Sequence, residues 1–329
     1  MYLGSPERLT AKPSRLQIFA IDVEGGQATL IVSPSGKSLL IDAGWLSVDH
    51  RDADRIVAAA RSARINKIDY LLITHYHRDH VGGVPLLAER IHIGTFIDHG
   101  PNVQTWDTPG QDYAAYLKVI KGSRHIIAKP GYSIPIRGLK VQVISSAGMV
   151  ITQPLTGAGQ LNKYCGSDPA PPNDPGENAQ SLGTLITYGK FRFLDLGDLT
   201  QKKELAIFCP QNLLGNIDLF LVSHHGLAES NSKAMVWTIR PRVAILDNGA
   251  HKGANPIAWQ IVRDSPGLQG FWQLHYAIDA GKEHNVPEEF IANLEEGTDR
   301  GNYIKVLAQP DGSFTVTNTR NNLTKLYTN

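Results

Sequence analysis

Cysteine is nearly missing from this 329-residue chain: Cys165 and Cys209 are the only two, and neither belongs to a CxxC pair. A thiolate zinc site is therefore not expected. Two isolated cysteines read as ordinary thiols, or as one disulfide if the protein is exported. An excess of either charge is missing too. Lys and Arg number 32 against 31 Asp and Glu, a formal net charge of +1, so no global basic field gathers nucleic acid. No apolar run approaches the ~18 residues that a membrane helix needs, and no membrane partner is expected. The opening residues, MYLGSPERLTAKPSR, hold no apolar signal-peptide core, and 1–14 read as an N-terminal extension. Such a start fits a cytoplasmic protein, or an exported one whose leader has been removed. There is no GxSxG, so no serine nucleophile of that type is expected.

What the chain does have is a strand and helix rhythm. RLQIFAID (15–22), QATLIVSP (27–34) and KSLLIDAG (37–44) read as strands, with turns at EGG and SG. DADRIVAAARSAR (52–64) reads as a surface helix feeding the strand IDYLLIT. Further strands are expected near 93–98, 123–128 and 139–145, with a helix near 110–121. SLGTLITYGKFRFLDLGDLT reads as a hairpin turning at YGK, followed by a helix over 200–208 and the strand IDLFLVSHHG. The rest alternates the helices SKAMVWTIR and PIAWQIVRD with the strands RVAILDNG, YIKVLAQ and SFTVTN. Residues 146–181 break the rhythm with PLTGAGQ and SDPAPPNDPGEN, a Pro- and Gly-rich stretch of the length expected for a lid or binding loop. Alternation from end to end implies a layered α/β protein, in one domain over 15–329.

Four strand ends carry metal-type residues. THYHRDHVGG (74–83) holds His75, His77, Asp79 and His80; LLIDAG ends in Asp42, FLDLGD in Asp198, and LFLVSHHG in His224 and His225. Strand ends are where layered α/β folds place their chemistry. Imidazole and carboxylate are costly to bury without partners, so so many together ask for a common one. In extended chain i and i+2 point the same way, so His75 and His77 can grip one ion together. Asp79 and His80, at the turn into the next helix, can address a second. Imidazole and carboxylate without thiolate suit zinc, manganese or iron.

This pattern resembles the metallo-β-lactamase superfamily, whose HxHxDH signature is met at His75, His77, Asp79 and His80. The resemblance implies that Asp42 supports a ligand, that Asp198 of the later GD motif bridges two ions, and that His224 is the last metal histidine. It implies a four-layer αββα sandwich. Within the superfamily the chain is most similar to ComEC-like hydrolase domains and related phosphodiesterases. IDVEGGQATLIV…LLIDAG resembles their opening, usually DVGQGDA; ENAQSL resembles their asparagine–serine segment, here Asn178 and Ser181; VSHHG resembles their HHG motif. Two departures stand out, the first from most of the superfamily and shared with this subgroup. Residues 146–181 contain no histidine for the first ion, and Asn178 takes that neighbourhood, which leaves the first site open and makes manganese plausible beside zinc. Where relatives carry HP on the helix after HHG, this chain has Asn255–Pro256, with His251 just upstream as a substitute.

The resemblance implies a metal-dependent hydrolase with a dinuclear centre and a metal-bound hydroxide, acting on a phosphodiester in nucleic acid or in a small phospho-compound. The near-neutral charge disfavours long nucleic acid. Hydrolysis of a carboxylic ester, lactone or β-lactam on the same centre is the alternative, and a non-catalytic metal-binding protein the remote one. Asp79 is expected to serve catalysis as well as metal. His225, diverging from His224, is expected in the pocket as leaving-group acid, or else as a packed, hydrogen-bonded histidine. His99, His251, His275 and His284 are further pocket candidates, although a lone loop histidine is more often structural. His50, His92 and His125 read as surface residues, and Trp45, Trp106 and Trp272 as core or loop anchors. A bond between Cys165 and Cys209 would tether the long loop beside the metal site. Oligomeric state is not legible.

Overall fold

Short apolar runs bounded by Gly, Asn and Asp turns form strands, and here they assemble into two large sheets. The computed structural model describes residues 15–47, 49–105, 107–296 and 301–328. The expected extension over 1–14 and Trp106 lie outside the described residues. The first sheet orders Thr324–Tyr327, Phe314–Asn318, Tyr303–Ala308, Leu16–Ile21, Thr29–Val32, Ser38–Ile41, Lys67–Leu72, His92–Asp98 and Arg124–Ile127. The second orders Ile291–Asn293, Gly270–His275, Val243–Leu246, Leu219–Leu221, Phe191–Asp195, Gly183–Tyr188, Lys140–Ser146 and Ser133–Ile134. In each sheet one half is antiparallel and the other parallel. The parallel runs go from Ser38–Ile41 to Arg124–Ile127 and from Phe191–Asp195 to Ile291–Asn293.

The strands are apolar on both faces, and the two faces go to different cores. Leu16, Ile18, Ile31 and Leu39 of the first sheet pack against Val143, Phe193, Leu219 and Val243 of the second. The alternate residues Phe19, Leu30, Leu40 and Leu71 face helices through Ile56, Ala60, Leu87 and Tyr116. On the far side Leu194, Phe220 and Ala244 face Ile207, Val236, Trp259 and Val262 of the second sheet's helices. The result is helix, sheet, sheet, helix: the αββα sandwich. Because it is a core-facing element, Arg51–Ser62 is more than the surface helix expected, with Ile56, Ala59 and Ala60 fully buried. Gly270–His275, Ile291–Asn293 and Thr324–Tyr327 were not foreseen as strands. Each mixes polar or charged residues into a short run, and only pairing with a neighbouring strand makes it regular.

The long loop is anchored at its middle. Gln160–Leu161 pairs with Gln211–Asn212, and Asn162 Nδ2 donates to the carbonyls of Phe208 and Ala234 at 2.9 Å each. The Asp168 carboxylate accepts from the free N–H groups of Lys233 and Ala234 at the start of helix Lys233–Ile239. Cys165 and Cys209 are joined in a disulfide, so the reading as two ordinary thiols is corrected. Nothing in their spacing could show this; Asn162 and the end of helix Gln201–Phe208 bring them together. Closing a loop of 44 positions stabilises by roughly 4 kcal/mol in the chain-entropy model. Cys165→Ser is therefore expected to lower Tm by about 6 °C for a chain of this size. Calorimetry of variant and parent without reductant checks it, and equal Tm values would show that the bond contributes nothing.

Candidate metal centre

All the strand ends that carry metal-type residues meet at one edge of the sandwich, where the parallel strands of both sheets finish. Asp42 follows Ser38–Ile41, the HxHxDH segment follows Lys67–Leu72, Asp198 follows Phe191–Asp195, and His224 and His225 follow Leu219–Leu221. The backbone is forced there. Asp42, His224 and His225 have φ of 60°, 55° and 52°, left-handed conformations costing an L-residue about 1–2 kcal/mol each. Gly197, at φ 56°, would place a Cβ 2.8 Å from Thr74 Cβ, so only glycine lets the Asp198 turn close on the histidine segment.

Two groups of side chains form, sharing Asp198. His75, His77 and Asp198 make one; Asp79, His80, Asp198 and His225 make the other, their ligand-type atoms within 4.8 Å of one another in each. Asp198 Oδ2 lies 3.7 Å from His75 Nε2, 3.2 Å from His80 Nε2 and 3.5 Å from His224 Nε2. Its Oδ1 lies 3.6 Å from His225 Nε2, and Asp79 Oδ2 lies 3.1 Å from the same nitrogen.

Each ring has a polar contact on its outer nitrogen. His80 Nδ1 donates to Asp42 Oδ2 at 2.7 Å, and His75 Nδ1 meets Thr74 Oγ1 at 3.1 Å. His224 Nδ1 meets Ser230 Oγ at 3.2 Å, and His225 Nδ1 faces Asp247 Oδ2 at 3.3 Å. With Nδ1 committed outward, each of the four keeps Nε2 for the centre. His77 is reversed: its Nε2 bonds Gln104 Oε1 at 2.9 Å, leaving Nδ1 for the centre. Outer bonds of this kind orient metal-binding imidazoles and fix their tautomers.

The donor set fits a divalent cation. His75 Nε2 and Asp198 Oδ1 are buried with no hydrogen-bond partner among the described residues, a costly state unless a cation takes the lone pairs. Burial holds His75 well below an imidazole's usual pKa, with neighbouring His80 adding to it, so the ring is a neutral donor. Burial alone would raise Asp198, but His80, His224 and His225 hold it well below the carboxylate range. Burial and Lys252 both lower His225, yet Asp198 and Asp247 outweigh them and lift it to about 9. Without metal this is a cluster tied together by protons, and a divalent ion binds by displacing them.

The other expected residues fall in several places. Asn178 Nδ2 stands 3.2 Å from His224 Nε2, beside the first group. Ser181 is buried on the next turn, its carbonyl accepting from Ser145 Oγ. His99 is not brought to the centre: it bonds Glu177 Oε2 at 3.0 Å and packs at a tilt against the Tyr76 ring. His251 points away, half exposed between Asp279 and Glu296, so it does not stand in for the histidine of the HP motif. His284 bonds the Ala280 carbonyl, and His275 lies with Asp22 and Glu24 apart from the centre. His125, read as a surface residue, bonds the buried Asp98 at 2.7 Å.

Both histidines of the HH pair reach Asp198, from different sides. His225 joins the four-residue group, whereas His224 faces Asn178 and the other side of Asp198. The alternation of a strand does not apply, because Ser223–Gly226 is a tight 3-10 turn with both histidines left-handed. Sequence reasoning missed the supporting set. Lys252 pairs with Asp79 and lies 4.8 Å over the Trp45 ring; Asp247 orients His225. Gln104 links His77 to the backbone of Glu177, whose carboxylate accepts from Tyr76 N between the two histidines. Asp247 alone had a signal, at the end of RVAILDNG, in the same position as the other strand-end aspartates.

Comparison with known proteins agrees with this geometry. Residues 21–160 match the model of the metallo-beta-lactamase superfamily. Recombination protein 2 of Haemophilus influenzae is 26% identical over 240 residues, 71% of this chain and 24% of that protein. ComE operon protein 3 of Bacillus subtilis is 22% identical over 251 residues, 71% of this chain and 28% of that protein. Hydroxyacylglutathione hydrolase of Xylella fastidiosa is 29% identical over 137 residues, 41% of this chain and 42% of that protein. The chain thus spans about a quarter of the length of the first two. The match to the metallo-β-lactamase superfamily runs over residues 21–160, and the likeness to ComEC-like proteins is the one read from the sequence.

The two histidines can be told apart by metal analysis. His225→Ala is expected to lose the metal equivalent of the four-residue group, since it removes a nitrogen that solvent replaces poorly. His224→Ala is expected to retain that equivalent. Elemental analysis of both variants after identical metal loading checks this, and full metal content in His225→Ala would remove it from the ligand set.

Proposed function

We propose that the chain is a metal-dependent hydrolase of phosphodiesters with two divalent ions, one among His75, His77, Asp198 and His224, the other among Asp79, His80, Asp198 and His225. Zinc suits this set of nitrogen and oxygen donors, and manganese or iron suits it as well. When bound, such a pair acidifies a water and polarises the oxygen under attack. The protein's own part is to hold the donors. Asp42 keeps the His80 ring fixed, Asp247 does so for His225, and Gln104 for His77. Asp198 belongs to both groups, which makes it the residue through which the ions are coupled.

Lys252 is the observation that carries the substrate class. Its ammonium is paired with Asp79 and about a third exposed, a fixed positive charge at the mouth of the centre. A phosphodiester bears its negative charge on the phosphoryl group being attacked, where this ammonium can bind it; a lactone or β-lactam has no charge at its reacting carbonyl. Asn178 offers a side-chain amide beside the first group and is suited to a second phosphoryl oxygen. The likeness to Recombination protein 2 and ComE operon protein 3 supports the reading. The likeness to a hydroxyacylglutathione hydrolase supports the second reading, an acyl ester or thioester on the same ions. The disulfide suits an oxidising compartment, and no described helix is long and apolar enough to cross a membrane.

The metal-loaded protein is expected to turn over a chromogenic phosphodiester in preference to a thioester, a lactone and a cephalosporin. Lys252→Met should keep its metal and lower kcat/KM on the phosphodiester by roughly 10–100-fold, the worth of a charge-assisted hydrogen bond. It should leave any slow lactone hydrolysis nearly unchanged. Turnover of the thioester or lactone alone would move the assignment to acyl chemistry.

A further inference from the structure

Three of the strands that end at the metal centre begin at a second concave place. Phe191–Asp195, Leu219–Leu221 and Val243–Leu246 run toward Asp198, the HH pair and Asp247. Their other ends, at Arg192, Asp218 and Arg242, border a cavity of about 680 Å³ on the opposite edge of the second sheet. At ~3.3 Å per residue the two edges are on the order of 15–20 Å apart. None of the residues lining this cavity belongs to the metal centre.

The lining is basic in a chain that is otherwise balanced. Lys190, Arg192, Arg240 and Arg242 converge on it, against one lining carboxylate, Asp218, which is bonded to Arg242 at 2.9 Å. Asp311, outside the lining, lies within the field of Lys190 and offsets part of its charge. The two inner guanidiniums are held in place. Arg192 donates to the carbonyls of Leu214 at 2.6 Å and Asn216 at 2.9 Å. Arg242 donates to the Gly312 carbonyl at 3.0 Å and lies 5.0 Å over the Phe314 ring. Arg192 uses two of the five N–H groups a guanidinium offers, so the fixed fork retains donors for an oxyanion. Gly215, at φ 82°, keeps the wall bare beside it, since a Cβ there would stand 3.1 Å from Arg192 Nη1. Lys190 and Arg240 are exposed at the rim.

A second hollow of about 400 Å³ shares Lys190 and Arg192 and adds Lys140, Thr156 and Thr187. Together they make a polar path with five cations along it. No aromatic ring lines either hollow, so a base would find nothing to stack on and recognition falls to charge. A single small anion would engage one or two of these cations. Several cations spread over a volume in the small-ligand range match a run of phosphates.

We propose that this basic cavity binds consecutive phosphates, carried by a nucleoside triphosphate or by a short single strand, at a site separate from the metal centre. The proposal does not depend on what the metal centre hydrolyses. Hydrogen–deuterium exchange on the metal-loaded protein tests it, with adenosine triphosphate in one arm and single-stranded oligothymidylate in the other. At least one probe should slow exchange over 189–192, 212–218 and 240–242 without requiring protection of 75–80. Lys190→Glu with Arg240→Glu, both at the exposed rim, should weaken that probe at least tenfold while phosphodiester turnover stays as in the parent. Protection by the triphosphate alone identifies a nucleotide as the source; protection by the strand identifies a nucleic-acid backbone. In the strand arm affinity should fall with salt at a log–log slope near −3, from about 0.7 per phosphate neutralised by four cations. Protection confined to the metal centre, protection by neither probe, or equal affinity in the charge-reversed variant would overturn the proposal.

Discussion

The rest of this structure depends on a concentration of buried negative charge. Asp42, Asp79, Asp198 and Asp247 are all nearly inaccessible at one edge of the sandwich, and among the described residues only Lys252 brings a permanent positive charge to them. Carboxylates in such surroundings are costly unless cations or hydrogen bonds compensate them. Five histidine rings face the same space with one nitrogen each aimed inward. That arrangement is unfavourable as a core and favourable as a receptacle for two divalent ions. It accounts for the left-handed backbone at Asp42, His224 and His225, for glycine at position 197, and for the ring-orienting contacts of Thr74, Gln104, Ser230 and Asp247.

The sandwich supplies what the centre needs by simple geometry. Parallel strands of both sheets finish at the same edge, so residues distant in sequence arrive together without long excursions of chain. The long loop then closes one side. It is fastened at its middle by the disulfide and by Asp168 on a helix N-terminus, and at its end by Glu177 bonded to Tyr76, Val103 and His99. Asn178 follows directly and reaches His224. The loop is thus less a free lid than a wall whose last residues are wired to the histidine cluster. The opposite edge of the second sheet gathers cations instead, so the same strands separate an acidic, histidine-rich edge from a basic one.

Much of this was legible in the sequence, and what was not has definite causes. Alternation and turn signals located most strands, and the spacing of His75, His77, Asp79 and His80, with Asp42 and Asp198, pointed to a two-ion centre. Which of His224 and His225 faces the second group was not legible, because strand alternation fails in a 3-10 turn with positive φ at both residues. Lys252 and Gln104 sit in loops with no pattern around them, and their contacts arise only when remote strands align. His251 looked like a substitute ligand from its position beside Asn255, yet Asp279 and Glu296 attract it outward. The disulfide depends on the loop folding back onto helix Gln201–Phe208, a tertiary event that cysteine spacing does not encode.

The central claim is that Asp198 couples two cation positions. It is tested most directly by a crystal structure of the metal-loaded protein, with the ions located by anomalous scattering at their absorption edge. The account predicts two peaks ~3.5–4 Å apart, each with an Asp198 oxygen at about 2.0–2.2 Å, one beside His75 and His77 and the other beside Asp79, His80 and His225. A single peak, or two peaks of which only one touches Asp198, would contradict it.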